Sequence, residues 1–311
     1  MGLSAIMNSV FGRGGRKKPV IKLTSSADDP FVQSLTCKGA ITIESIKDGE
    51  MIIEKYSDLM DTLVNIKADA DTEITIIGNV IKLDFAVYNY DPEIDDYEGC
   101  FDISTVEVSE CKKLKSLSVP YCENITELNL AANTSLQYLD CNGCTSITEL
   151  NLAANTALQY LDCNGCTSIT ELNLAANTAL QTLYCYRCTS ITELNLAANT
   201  ALQTLNCGST SITELNLAAN TALQTLYCRG TSITELNLAA NTALQYLDCG
   251  GCTSVSNISY PATNSNVSTA IASAITDATA ADGTVYTDSA AAYYSTIADA
   301  ATAKGWTISQ L

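Results

Sequence analysis

The chain has 311 residues, with 34 Asp and Glu against 16 Lys and Arg, no histidine, and a formal net charge of −18. That balance disfavours docking on a phosphate backbone, which Lys and Arg drive by releasing counterions. The missing histidine excludes a Ser-His-Asp triad, a Cys-His pair and any His-ligated zinc, while 47% hydrophobic and 16% charged residues are too apolar for a disordered acidic tail.

Residues 1–19 form a small arm rich in Gly and Arg. Its basic residues, Arg13, Arg16, Lys17 and Lys18, follow the short apolar stretch, the reverse of a secretory signal. Ile6 stands where a myristoylation pattern wants Ser or Thr. No stretch approaches the ~20 apolar residues of a membrane span. The arm reads as a docking element for a larger assembly. Residues 20–99 mix strand-like runs (41–43, 74–77 and 80–87) with a possible helix near 56–67, and read as an N-terminal cap domain. Within them DPEIDDYE places five acids at 91–98, whose oxygens could hold Ca²⁺, although not at EF-hand spacing.

Repetition governs residues 100–260. TELNLAANT occurs six times, its first leucine at 128, 150, 172, 194, 215 and 236. A period of 21–22 residues marks a solenoid. Each unit holds two LxxLxLxxN-like halves. One is Ile147, Leu150, Leu152 and Asn155; in the other, Leu136, Leu139, Cys141 and Cys144, cysteine replaces Leu and Asn. Leu-x-Leu at period two is a short strand with one face inward, so each turn could offer a strand on both sides. Degenerate turns flank the clear ones: Val106 to Ile125 fall in register before them, and Val255, Ile258 and Tyr260 begin another before Pro261 breaks it. Residues 261–311 are rich in Ala, Ser and Thr and read as a second cap. A helix is predicted over 289–305, with Asp288 or Ser289 as N-cap and Gly305 at C′, followed by a strand at 306–308.

The motif LxxLxCxx(C/N)x(S/T)IT, present as LQYLDCNGCTSIT (136–148) and LQTLYCRGTSIT (223–234), resembles the bacterial cysteine-containing leucine-rich repeats of internalin-type proteins. The resemblance implies an α/β-type repeat solenoid, a leucine-rich repeat with parallel strands stacked in 21–22-residue turns and capped at both ends. It implies a recognition or adhesion scaffold. The sequence departs from the family where a second cysteine often replaces Asn, and it has no LPxTG-type sorting motif.

Twelve of the fourteen cysteines form two columns, Cys141, Cys163, Cys185, Cys207, Cys228 and Cys249, and Cys100, Cys122, Cys144, Cys166, Cys188 and Cys252. Both fall at inward positions and read as a buried thiol ladder. Disulfides between turns and CxxC metal ligation are the alternatives, the latter disfavoured because two turns lose the second cysteine. The Asn133 to Asn241 column is inward and structural. Glu127, Glu149, Glu171, Glu193, Glu214 and Glu235 form an acidic stripe on the unchanging side of the repeat. Glycosylation triplets at Asn124, Asn257 and Asn266 lack a secretory context.

The repeats differ from one another mainly on the cysteine-bearing strand and its loop. These outward positions carry Tyr138, Asp140, Tyr160, Asp162, Tyr184, Tyr186, Arg187, Asn206, Tyr227, Arg229, Tyr246 and Asp248. This is the amphipathic, adaptable set that binding surfaces use, and Tyr184, Tyr186, Arg187, Tyr227 and Arg229 are expected to cluster. The sequence therefore reads as a non-catalytic module binding a protein or glycan receptor through this face, without cofactor or metal. A virion or extracellular surface is the favoured setting, as in a bacteriophage appendage. The competing reading is a structural decoration or spacer.

Overall fold

The computed structural model describes residues 103–260 continuously, and on either side of them chiefly the strands and helices within 20–98 and 265–310. Ten strands precede the repeat region proper: β1 (Val20–Ser25), β2 (Phe31–Cys37), β3 (Ala40–Lys47), β4 (Glu50–Ser57), β5 (Thr62–Asn65), β6 (Glu73–Ile77), β7 (Val80–Asp84), β8 (Asn89–Asp91), β9 (Asp96–Glu98) and β10 (Ile103–Glu107). Three-residue strands then follow: β11 (Ser116–Ser118), β12 (Tyr138–Asp140), β13 (Tyr160–Asp162), β14 (Thr182–Tyr184), β15 (Thr204–Asn206), β16 (Thr225–Tyr227), β17 (Glu235–Asn237), β18 (Tyr246–Asp248) and β19 (Asn257–Ser259). The chain closes with α1 (Ser265–Asp277), β20 (Thr284–Thr287), α2 (Tyr294–Lys304) and β21 (Thr307–Gln310).

This is a leucine-rich-repeat solenoid. Strands β11 to β16 and then β18 stack in parallel and in register, Leu117, Leu139, Leu161, Leu183, Leu205, Leu226 and Leu247 succeeding one another along the core. Strand β7 continues the same sheet before β11, with Leu83 opposite Leu117, and β2 and β5 extend it antiparallel. A separate antiparallel sheet runs β10-β1-β6-β3-β4.

Every turn drives leucines and an isoleucine inward. Leu150, Leu152, Leu158, Leu161 and Ile169 are all buried, each contributing about 1.5–3 kcal/mol on leaving water. The in-register residues from Val106 to Ile125 are buried alongside them.

The structure revises four sequence expectations. Among the described residues of 56–67 there is no helix: β4 ends at Ser57 and β5 covers Thr62–Asn65, drawn into the sheet by its pairing with β2. In the repeats with the full TELNL segment, the second side of the turn is a strand only at β17, which pairs with β19 of the following turn. Strand pairing does not stop at Pro261: β17, β19, β20 and β21 form a parallel sheet. Finally, α1 is an element that the sequence reading omits. It lies against β18, taking Cys249 Sγ on the Ala270 carbonyl (3.4 Å) and offering Asp277 Oδ2 to the Gly251 N–H (3.0 Å).

Helix α2 ends as predicted. Gly305 has φ +79, its N–H reaches the Thr302 carbonyl, and Trp306 N–H reaches Ala301, which is a Schellman cap. Asp288 and Ser289 lie outside the described residues, as do the arm residues Arg13, Arg16, Lys17 and Lys18, and Cys100. Of the acidic loop, Asp91 and Asp96 pair across the β8–β9 hairpin and 92–95 lie outside the described residues.

Candidate functional site

Strands β12 to β16 and β18 each read outward, inward, outward, then cysteine. The first outward row runs Tyr138, Tyr160, Thr182, Thr204, Thr225, Tyr246, and the second runs Asp140, Asp162, Tyr184, Asn206, Tyr227, Asp248. Register thus brings the predicted face together as two parallel lines, with successive members about 4.8 Å apart.

Much of the second row serves the fold. Asp140, Asp162, Asn206 and Asp248 each accept the N–H of the residue two further on, at 3.0, 2.9, 3.2 and 3.2 Å. These are Asx turns, which close the corner after the strand. Asp140 departs furthest from expectation. It is 5% exposed, and its second oxygen accepts the Ser118 hydroxyl at 3.1 Å. A small hydroxyl on the neighbouring strand lets this carboxylate lie down against the sheet. Where Tyr184 stands instead, the corner is held from the preceding turn, Tyr186 N–H donating to Asn164 Oδ1 at 2.6 Å.

The loop beyond the cysteine has a left-handed residue at one fixed place. Gly143, Gly165, Gly230 and Gly251 take φ from +67 to +72 there, but Tyr121, Arg187 and Ser209 hold φ +57, +60 and +53. A side chain in this region is disfavoured by roughly 1–2 kcal/mol, so three turns carry strain that glycine relieves in the others.

The aromatic residues assemble into two groups. Tyr138 and Tyr160 stack in parallel, centroids 4.4 Å apart at 9°, and Tyr184 meets Tyr160 edge-on at 5.8 Å. Tyr227 and Tyr246 lie 5.0 Å apart. The Arg187 guanidinium sits 5.3 Å over the Tyr186 ring, and that ring would lie 3.3 Å from a side chain at Gly208. Ring contacts join Tyr184 to Tyr160 and Tyr227 to Tyr246, Tyr227 also acts on the Tyr184 hydroxyl, and Arg229 is exposed. Burial pushes the Asp162 carboxyl up to about 6, helped by the Asp140 charge and opposed by the Asn164 N–H. Burial likewise raises the Tyr160 and Tyr184 hydroxyls.

The thirteen described cysteines are buried thiols, and the two columns lie beneath the face. The second column donates to carbonyls of the turn before: Cys144 to Val119 (3.0 Å), Cys166 to Cys141 (3.1 Å), Cys188 to Cys163 (2.9 Å) and Cys252 to Cys228 (3.2 Å). In the shortened turns threonine does comparable work, Thr210 and Thr231 hydroxyls donating to Cys207 and Cys228. Burial raises the Cys185 and Cys207 thiols, the latter to about 12, which removes the thiolate that nucleophilic attack or metal binding needs. Among the described residues no group of three or more acids and cysteines is arranged to hold a metal, and no helix is long and apolar enough to cross a membrane.

The asparagine column is buried, each Nδ2 bridging two carbonyls of the preceding turn, as Asn155 does to Leu130 (3.1 Å) and Asn133 (3.0 Å). On the far side the glutamates are exposed, beside inter-turn grooves of about 350–580 Å³.

No protein-family model matches the sequence, and no curated protein matches it. Among solved structures, the functional domain of InlJ from Listeria monocytogenes, which includes a cysteine ladder, is 30% identical with a TM-score of 0.44, over 60% of this chain and 42% of that one. Internalin InlF from Listeria monocytogenes is 16% identical (TM-score 0.33, 73% of this chain, 82% of that one), and internalin C2 from the same organism is 18% identical (TM-score 0.32, 69% and 88%). The chain thus spans less than half of the InlJ domain. The repeat itself is leucine-rich with a buried cysteine ladder, as its registers and thiols display.

Proposed function

We propose that the solenoid is a non-catalytic recognition module that binds a protein or a glycan through the outward face of β12 to β16 and β18. The observation that carries this reading is the set of exposed and partly exposed tyrosines on the two outward rows, Tyr138, Tyr160 and Tyr246 in the first and Tyr184 and Tyr227 in the second. Stacked rings on a rigid sheet offer contact area with little conformational entropy to lose. The strained Arg187 loop beside them fits the tendency of strain to gather at binding sites. In this reading residues 1–19, through Arg13, Arg16, Lys17 and Lys18, tether the module to a larger assembly such as a virion.

A structural spacer is the second reading. It is favoured by the Asx turns, which assign Asp140, Asp162, Asn206 and Asp248 to the fold. Binding of the full chain to arrayed glycans and to bacterial surface extracts separates the two. The module reading expects a ligand whose affinity drops at least tenfold in the triple variant Tyr184→Ala, Tyr186→Ala, Arg187→Ala with the melting transition intact. Equal affinity of variant and parent removes the strand face from consideration.

A further inference from the structure

Cations are scarce on the solenoid. Within 128–260 the sequence has two, Arg187 and Arg229. Both lie on the corner loop after the strand, on either side of the turn that carries Gly208 and Ser209. The Arg187 N–H donates to the Gly208 carbonyl at 3.0 Å, and the Ser209 N–H donates to the Arg229 carbonyl at 2.7 Å. Two steps of the stack put the two arginine backbones about 10 Å apart, a gap that two long side chains can span over small residues. Neither guanidinium is neutralised from within. Among the described residues Arg187 has the Tyr186 ring as its side-chain contact, Arg229 makes no ion pair, and both are exposed.

The acids of the strand side stop where these cations stand. Asp140 and Asp162 occupy the two turns before, and Asp248 the turn after, but 181–192, 203–213 and 224–234 carry no Asp or Glu. The same corner is strained on two successive turns, Arg187 at φ +60 and Ser209 at φ +53, where other turns place glycine. The Ser209 hydroxyl is partly exposed and has no hydrogen-bond partner among the described residues.

We propose that the corner between Arg187 and Arg229 seats a carboxylate-bearing sugar of an acidic glycan, the carboxylate accepting from the two guanidiniums and the Ser209 hydroxyl and the sugar ring lying against Tyr184 or Tyr227. The proposal rests on the recognition reading above and names its ligand class.

The chemistry favours this ligand. A guanidinium fork matches the two oxygens of a carboxylate, and the C–H face of a sugar packs on an aromatic ring that is already held in place. Tyr184 is held edge-on to Tyr160, Tyr227 lies 5.0 Å from Tyr246, and Tyr227 acts on the Tyr184 hydroxyl across the intervening Asn206 strand. An acidic peptide brings the carboxylate without a flat C–H face for those rings. The net charge of −18 repels a polyanion from a distance, so affinity must come from these local contacts.

The test is fluorescence anisotropy of the full chain with a fluorescein-labelled galacturonate hexasaccharide, its methyl ester, and an octapeptide of alternating Glu and Gly. Arg187→Gly relieves the left-handed strain, so it melts no earlier than the parent and its loss of binding is not misfolding. The control for cationic charge elsewhere is the double variant Lys112→Gln, Lys113→Gln, at exposed positions before the clear repeats. The expected result is binding of the acid, weakened at least tenfold by Arg187→Gly and by Arg229→Gln and changed less than threefold in the lysine variant, with the methyl ester bound at least tenfold more weakly. Absence of galacturonate binding, or equal weakening by the lysine variant, overturns the proposal. Equal binding of the acid and its ester, both weakened by Tyr184→Leu, refutes the carboxylate assignment while the recognition face stands. Arginine-dependent binding of the acidic peptide as tight as that of the sugar refutes the glycan assignment. If no arrayed glycan or surface extract binds either, the recognition reading fails with it.

Discussion

Replacing Asn177 tests the internal hydrogen-bond logic of the stack. Its Nδ2 donates to the Leu152 carbonyl at 3.1 Å and to the Asn155 carbonyl at 2.9 Å. Each carbonyl also accepts one backbone N–H, from Asn155 and Leu158 at 3.0 Å. Asn177→Ala therefore removes two bonds without stranding either acceptor, costing about 1 kcal/mol each. The small cavity adds about 1 kcal/mol. Against this, Asn177 Oδ1 is buried with no partner, and deleting it returns about 1 kcal/mol, for a net loss of about 2 kcal/mol. Asn177→Asp is different in kind. It sets a carboxylate against two carbonyls, and a buried charge without a donor costs several kcal/mol more, so about 4 kcal/mol or more is expected at pH 7, partly relieved at pH 4 where the protonated acid donates once. Urea unfolding measures both. Far-UV circular dichroism reports the whole solenoid, and Trp306, the single tryptophan, reports the C-terminal end. Coincident transitions license a two-state reading, which repeat proteins do not always satisfy. Equal costs for the two variants, or a cost for alanine below about 0.5 kcal/mol, would refute the bridging role.

Gly143 and Gly165 share φ near +70, but a Cβ on Gly143 meets Tyr121 Cδ1 at 2.5 Å while one on Gly165 finds no atom nearer than 3.7 Å. Gly165→Ala should cost about 1 kcal/mol of backbone strain and Gly143→Ala at least about 1 kcal/mol more, read from urea midpoints. The raised Asp162 carboxyl, surrounded by Asp140, Tyr160, Tyr184, Cys185 and the Asn164 N–H, binds its proton more tightly folded than unfolded. Stability from this group is therefore present at low pH and lost as pH rises from about 4 to about 6, a loss of up to about 3 kcal/mol. Asp162→Asn flattens that part of the stability–pH curve, and an unchanged curve refutes the burial argument. The buried thiols predict native reactivity with Ellman's reagent at least about a hundredfold slower than in denaturant, Cys252 excepted, whose hydrogen bond with Cys228 lowers it to about 6; several fast native thiols would contradict the ladder.

What the sequence disclosed follows from periodicity. Leu150, Leu152, Asn155, Leu158, Leu161 and the column cysteines recur at 21–22 residues because the stack tolerates a narrow range of volumes at each inward place, and those among the described residues are all buried. Helix α1 was illegible for the opposite reason. SNVSTAIASAITD occurs once and is rich in Ser and Thr, which are weak helix formers, and its position depends on the β18 edge that it covers. The supposed helix at 56–67 failed because pairing of β5 with β2 outweighs local preference. The Asx turns were legible and overlooked: Asp or Asn two residues before the accepting N–H is a corner signal in its own right.

That oversight changes how the variation between repeats bears on function. On the far side, Asn151 and its equivalents are constant, and the structure explains why: each Oδ1 accepts the N–H two residues on, as for Ala153 at 3.2 Å. The equally constant Glu149 column is exposed, and nothing in the structure explains its constancy. Constancy alone therefore does not mark that side as scaffold. On the strand side, the Asp and Asn of the second row alternate with tyrosine under a corner constraint, and glycine alternates with Tyr121, Arg187 and Ser209 under a φ constraint. Both alternations have a fold component. The first outward row has none, since Tyr138, Tyr160, Thr182, Thr204, Thr225 and Tyr246 close no corner and sit on ordinary strand backbone. Within that row tyrosines stand at the two ends and threonines between them. A spacer has no use for such a split. A ligand anchored at both ends of this row would have one, and Tyr138 with Tyr160 against Tyr246 is where substitution should discriminate between them.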